Sequence, residues 1–432
     1  MRRALVLGGY GLIGSAAGRA LARAGFEVTG MGRSATAAAL CPGAARHWII
    51  RDMPLIGVDE WRAILQGFDV VVNAAGALQD GAGDDLSAIH VTAIDRLVAA
   101  ADGLPLRIVQ VSAAGVATDA GTAFFRTKAR GDAIMSARAR DWVILRPVLV
   151  LSSEAWGGTA LLRAAAALPW VLPVVLPQAQ VQTVHVEDVA AAVVLAATGG
   201  VASGTIADLT EPGTQSFPDL VARVRDWLGL PAPRLCLAVP QAFVMLVAKG
   251  ADLMGRLGWR SPLRSTAIKA LSSGIRGDPS AWIQAGGAPC RPLAETLAAL
   301  PATRQERLFA RAYLALPLGI ATLSLFWLVS GLIGLARPGA AGAVLTAGGM
   351  TPGTAMLIVA AGGVADIGLG LAILARRWCR TAAFGMIVLS AAYLAGSLIA
   401  APSLWLDPLG PMVKVLPGMA LAALVALLVE AR

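Results

Sequence analysis

Over its first 200 residues the chain alternates short apolar runs with longer amphipathic stretches, and after residue 300 it turns to long apolar runs. In the first region Ala4–Leu7, Glu27–Met31, His47–Arg51, Asp69–Asn73, Arg107–Ser112, Trp142–Arg146 and Gln182–Val186 read as strands. The strongest of them have β-branched cores, the composition of strands buried on both faces. Gly11–Ala24, Asp85–Ala101, Ala123–Arg138 and Glu187–Ala197 fill the gaps as helices. Strand–helix alternation at this rhythm predicts an α/β Rossmann-type fold, a doubly wound parallel sheet with helices on both faces. Residues 151–180 and 203–235 are rich in Pro, Gly and Leu and break the rhythm. They predict a small substrate-side lobe, so that residues 1–235 form one domain.

The long apolar runs are Ala312–Ala336, Ala355–Ala375, Ala382–Ala401 and Met412–Val429. Each approaches the roughly 20 residues a helix needs to cross the hydrocarbon core, which predicts a bundle of four transmembrane helices over residues 301–432. Charge supports the division. Only 15% of the chain is charged, against about 25% in soluble domains. Residues 1–300 carry 27 Lys/Arg and 23 Asp/Glu, whereas residues 301–432 carry 9 and 4. Arg304, Arg307 and Arg311 precede the first run, and Arg376, Arg377 and Arg380 separate the second from the third. This distribution predicts a multi-pass protein of the inner (plasma) membrane with the N-terminal domain and the C-terminus in the cytoplasm.

Between the two parts, residues 236–300 read as a helical connector. Val239–Ala251 is apolar, and Lys249, Arg256, Arg260, Arg264 and Lys269 lie in or after it. A basic amphipathic stretch fits anionic lipid headgroups, and it equally fits a soluble helical cap. The net charge of +9 comes with no basic stripe interleaved with aromatics, so no nucleic-acid partner is expected. Four scattered cysteines and three histidines give no metal site and no disulfide framework.

The candidate chemistry starts at the end of the first strand. Gly8, Gly9, Tyr10, Gly11, Leu12, Ile13 and Gly14 form a glycine loop opening a helix. Glycines let the backbone approach a pyrophosphate, and the helix N-terminus offers free amides to it. Arg33 stands at the end of the second strand, where an acid would hold the ribose hydroxyls of NAD. A cation there suits the 2′-phosphate of NADP, so NADP is the expected cofactor, with NAD the alternative.

With the RDM segment (Asp52), VVNAAG (Asn73, Ala74, Ala75, Gly76), VQVSAAG (Ser112) and LRPVLV (Arg146, Pro147) added, residues 1–230 resemble the extended, or atypical, short-chain dehydrogenase/reductases. Within them the chain is similar to the subgroup of a complex I accessory subunit. Residues 300–432 resemble DoxX-like membrane domains. The resemblance implies that Asp52 meets the adenine and Ala74–Gly76 the ribose region. It also implies a catalytic serine, tyrosine and lysine, in which the tyrosine exchanges a proton with the substrate. Ser112 and Lys128 match, but Phe124 stands at the tyrosine position, four residues before Lys128. A phenyl ring transfers no proton. The expectation is therefore a cofactor-binding protein, an oxidoreductase or epimerase/dehydratase-like enzyme on a membrane-soluble substrate such as a quinone or lipid, with an impaired site, or else a non-catalytic cofactor-sensing or assembly protein at the membrane. Asp188 is expected to cap the helix after His185, with His185 structural. Asp366, the acid deep in an apolar run, is expected either to pair within the bundle or to bind a small headgroup or quinone.

Overall fold

The computed structural model describes residues 1–81, 84–259 and 261–429. Arg260, counted above among the connector's basic residues, lies outside them. The chain divides into two compact units: Met1–Asp252 with Ser261–Ala310, and Leu253–Arg260 with Arg311–Arg432.

The first unit begins β1 (Arg3–Leu7), α1 (Leu12–Arg23), β2 (Glu27–Gly32), α2 (Ala35–Ala39), β3 (His47–Ile50), α3 (Val58–Leu65) and β4 (Val70–Asn73). It continues α4 (Ala93–Ala101), β5 (Arg107–Val111), α5 (Ala123–Arg138), β6 (Trp142–Pro147), β7 (Leu149–Leu151) and α6 (Gly158–Ala166). Next come β8 (Val171–Val174), β9 (Gln180–Val181), β10 (Thr183–His185), α7 (Val186–Thr198), β11 (Thr205–Leu209), β12 (Gln215–Ser216) and α8 (Phe217–Trp227). β13 (Leu235–Ala238), α9 (Gln241–Arg256), α10 (Ser265–Ser272), α11 (Ser280–Gln284) and α12 (Leu293–Ala299) complete the run.

Seven strands form one parallel sheet in the order β11-β6-β5-β4-β1-β2-β3. Alternation along each strand assigns the faces. Ala4 and Val6 pack with Ala17 and Leu21 of α1 and Val189 and Val193 of α7. Leu5 and Leu7 point to the opposite face, against Trp61 of α3 and Leu97 of α4. Both faces are therefore covered by helices, which is why the strands read as continuous apolar runs. The order reverses between β1 and β4, and the carboxyl ends of those strands flank the crevice where such sheets bind ligands. Of the irregular segments, Thr205–Leu209 joins the main sheet as β11, while Leu162, Leu172, Leu220 and Val224 form a separate apolar cluster together with Leu293 and Leu297 of α12. This is the expected lobe.

The second unit contains α13 (Arg304–Ala336, whose first residues belong to the first unit), α14 (Pro338–Ala347), α15 (Pro352–Ala372), α16 (Cys379–Ala400) and α17 (Val415–Leu428). Among the described residues three helices, α13, α15 and α16, are long and apolar enough to cross a membrane. The fourth expected run forms a shorter apolar helix. The run Met412–Val429 yields only the 14-residue α17, because Met412–Lys414 are turn residues behind Gly410 and Pro411. Fourteen residues rise about 21 Å, short of the roughly 30 Å core. Helix α14 occupies what the sequence pattern left as a loop. Inside this unit the Asp366 carboxylate accepts hydrogen bonds from Ser330 Oγ at 2.9 Å and Tyr393 Oη at 2.8 Å, linking α15 to α13 and α16.

Candidate functional site

The loop after β1 is held by its own backbone. Gly11 N–H donates to the Gly8 carbonyl at 2.8 Å, and Gly9 N–H to that of Met31 at 3.1 Å. Gly8 has φ +70°, and a Cβ on it would lie 2.9 Å from the Ala75 backbone. A Cβ on Gly14 would lie 2.1 Å from the Gly8 carbonyl oxygen. The tight turn, the N-terminus of α1 and the close approach of the β4 loop thus all require bare backbone here. That is the cradle a pyrophosphate needs, and the residues fit a dinucleotide. Leu12 and Ile13 pack into the apolar clusters beside α7.

At the end of β2, Tyr10 lies over the backbone of Gly32, where a Cβ would meet its ring at 2.2 Å. Its ring stacks on Trp48 with centroids 6.0 Å apart, and its hydroxyl accepts from Arg33 N–H at 3.0 Å. Tyr10 is thus tied to the β2–β3 side of the site. Arg33 forms an ion pair with Asp84 at 2.6 Å. Burial works against its charge, but the hydrogen bond and charge of Asp84, with Asp52 behind it, hold its pKa above the usual value. After β4, Asn73 is fully buried. Its amide donates to Gln110 Oε1 at 2.8 Å and its carbonyl accepts from Ala75 N–H at 3.1 Å, which fixes the Ala74–Gly76 turn.

Helix α5 carries Phe124, Lys128 and Asp132 on one face, four residues apart. Thr122 caps it through Phe125 N–H. Lys128 is buried and donates to the Val111 carbonyl at 2.9 Å. Burial lowers its pKa to about 8, opposed by the charge of Asp132. A Cβ on Gly76 would stand 3.1 Å from His90 Nε2 and 3.5 Å from Lys128 Nζ, so the β4 loop, α5 and the segment before α4 converge at this point. Ser112 Oγ donates to Asp132 at 2.8 Å, and Arg146 closes on the same carboxylate oxygen through Nε at 3.1 Å and Nη2 at 2.9 Å. Burial raises the Asp132 pKa, against the opposing pull of Arg146, Ser112 and Lys128.

His90 is the site residue that sequence reasoning missed. It sits in a π-turn, Ala88–Thr92, ahead of α4. Its Nε2 accepts from Ala77 N–H at 3.3 Å, so its Nδ1 carries the hydrogen that faces Thr127 Oγ1 at 2.9 Å. Its ring meets that of Phe124 edge-on at 5.8 Å. Burial and the nearby Lys128 charge push its pKa down to about 3, so it is neutral. One histidine inside an amphipathic helix carries no periodic signal, and a π-turn has no sequence mark. The expectation that Asp188 caps α7 is corrected. His185 Nδ1 accepts from Glu187 N–H at 3.0 Å and does the capping, while Asp188 pairs with Arg291 at 2.6 Å.

Residues 8–200 match the family model described as NAD(P)H-binding, and residues 324–423 match the DoxX-like family. The chain thus joins a region similar to the NAD(P)H-binding family, within a Rossmann-type sheet, to a C-terminal region similar to the DoxX-like family. Among solved structures it is similar to the Bordetella bronchiseptica enzyme WbmH in complex with NAD+, at 18% identity and TM-score 0.52 over 69% of this chain and 97% of that one. It is also similar to a nucleoside-diphosphate-sugar epimerase from Pseudomonas aeruginosa, at 18% identity and TM-score 0.51 over 69% and 95%. At these identities the likeness is one of fold. No curated protein matches the chain.

Proposed function

We propose that this chain is a membrane-anchored NADP(H)-binding protein whose site, similar to that of short-chain dehydrogenases, carries no tyrosine-type proton transfer. The observation behind this reading is Phe124. Its ring lies edge-on to His90 one helical turn before Lys128 and has no hydroxyl to give. Ser112, the second hydroxyl of such sites, donates instead to Asp132. General acid–base catalysis contributes about 10²–10⁴-fold, and that factor is what the phenyl ring removes.

In this reading the Gly8–Gly14 loop and the N-terminus of α1 hold the pyrophosphate, Arg33 and Asp52 face the adenosine, and Asn73 fixes the Ala74–Gly76 turn beside the ribose. Lys128 holds the nicotinamide ribose. A nicotinamide cofactor supplies hydride chemistry when bound. The choice of NADP rests on Arg33, whose cation a 2′-phosphate must share with Asp84. The arginines before the first span and between the second and third support placing the Rossmann domain and the C-terminus in the cytoplasm, with the bundle in the plasma membrane.

A second reading keeps the enzyme active, as an oxidoreductase or epimerase-like protein on a quinone, a lipid or a nucleotide sugar. It is favoured by Lys128, whose pKa of about 8 lets the ammonium give up a proton near neutral pH. The test is NADPH and NADH titration of the purified chain, followed by turnover assays with quinones, lipid carbonyls and nucleotide sugars. Tight NADPH binding without turnover is expected. Robust turnover lost in Lys128→Ala overturns the first reading in favour of the second.

A further inference from the structure

The sequence left open whether the connector touches lipid or caps the soluble domain. We propose that β13, the turn before β8 and helix α9 form an in-plane membrane-contact surface, seated at the headgroup–acyl boundary of an anionic bilayer. The proposal rests on the membrane anchoring argued above.

Helix α9 is apolar on two faces. Val244 and Ala248 are buried against Ile268. On the other side Phe243, Leu246 and Leu253 are exposed at helical spacing, Leu246 to 66%, and Leu257 in the turn just after the helix is exposed too. A soluble cap has no use for a second apolar face, and contiguous exposed apolar residues mark an interaction surface. Lys249 and Arg256 follow Leu246 and Leu253 by three residues each, so both flank the stripe along one edge. Cations beside an apolar stripe match the arrangement of helices that lie in an anionic interface.

Two further observations point to lipid. In β13, just before α9, Leu235, Cys236 and Leu237 are all exposed. Trp170, at the turn into β8, has φ +61° and is 64% exposed, while its carbonyl accepts from Arg234 and Leu235 N–H. Tryptophan is enriched at membrane–water boundaries. The other observation is continuity with the membrane unit. The last turn of α9 belongs to that unit, where Trp259 Nε1 donates to the Leu374 carbonyl at 2.7 Å and Arg376 N–H donates to the Leu257 carbonyl at 3.0 Å. Within that unit these bonds join the residues just after α9 to the segment that follows α15.

The test uses the full chain in proteoliposomes of mixed phosphatidylglycerol and phosphatidylcholine. Spin labels are placed on the native Cys236 (with Cys41→Ser) and on Phe243→Cys or Leu246→Cys (with Cys41→Ser and Cys236→Ser). Control labels sit at Leu398→Cys in α16 and at Leu40→Cys in the Rossmann domain. We expect the three surface labels to collide with oxygen over a water-soluble nickel chelate at least threefold more than the Leu40 label. Lys249→Glu with Arg256→Glu should reduce that ratio. Nickel-accessible surface labels beside a lipid-exposed Leu398 label overturn this proposal alone. A nickel-accessible Leu398 label overturns the anchoring beneath it. Surface labels shielded from both reagents mean a protein partner, such as a second copy, and also overturn it.

Discussion

Ser112 and Asp132 are joined by a 2.8 Å hydrogen bond in which the serine hydroxyl is the donor, and both residues are buried. Arg146 holds the same carboxylate oxygen. Ser112 is thereby part of a charge-pairing network under the sheet's carboxyl edge. Ser112→Ala should cost about 1–2 kcal/mol of stability and leave NADPH affinity within about twofold. Asp132→Ala, which strands Arg146, should cost about 3 kcal/mol. Thermal unfolding of the detergent-solubilised chain with a parallel nucleotide titration reads both; a Ser112→Ala protein of wild-type stability would refute the network's role.

Lys128 gives a pH signature. Burial lowers its folded pKa to about 8 from 10.5. Between those values the unfolded chain binds more protons than the folded one, so this group makes stability rise as pH increases from about 8 to 10.5. Below pH 8 its cost is fully present. Lys128→Met should remove that rise and raise the melting temperature at pH 7, while weakening nucleotide binding. Melting curves recorded at intervals across this range check the sign.

Phe124→Tyr restores the missing hydroxyl beside an intact Lys128. With Ser112 engaged by Asp132, the gain should fall at the lower end of the acid–base range, about 10²-fold in NADPH oxidation. The comparison is steady-state turnover of the variant and the parent with the same quinones and nucleotide sugars. Equal rates would mean that the phenyl ring is not what limits the site.

Gly14→Ala places a methyl 2.1 Å from the Gly8 carbonyl oxygen, where backbone has to move. Nucleotide affinity should fall more than tenfold, with the membrane unit undisturbed. Isothermal titration, alongside size-exclusion behaviour of the variant, separates loss of binding from loss of folding.

In the proposed reading, a 2′-phosphate competes with Asp84 for Arg33. Arg33→Ala should weaken NADPH more than NADH, and Asp84→Asn, which removes a carboxylate that competes with a phosphate for the guanidinium, should strengthen NADPH relative to NADH. Paired titrations of each variant provide the ratio. Equal or tighter binding of NADH than NADPH by the parent chain would remove the case for NADP.

The sequence determined the local pieces, because they depend on local physics. Apolar runs bounded by polar residues fixed six of the sheet's seven strands, β11 (Thr205–Leu209) lying in a stretch read as part of the lobe, and helical spacing fixed α5 at Ala123–Arg138. The glycine loop was legible because only bare backbone fits between a strand end and a helix start. Phe124 was legible because its spacing to Lys128 is one helical turn. The tertiary structure decided which groups those pieces face. Asp84, 51 residues from Arg33 in the chain, Asp132 beneath Ser112, and His90 between the Ala77 amide and Thr127 are partnerships of sequence-distant segments, and hydropathy carries no record of them. The fourth apolar run shows the same limit: its composition suits a membrane span, but Gly410, Pro411 and the following turn delay the helix to Val415 and leave it a third too short. Composition reports where a chain is apolar. Whether that length becomes one helix depends on backbone hydrogen bonds, which only the folded chain specifies.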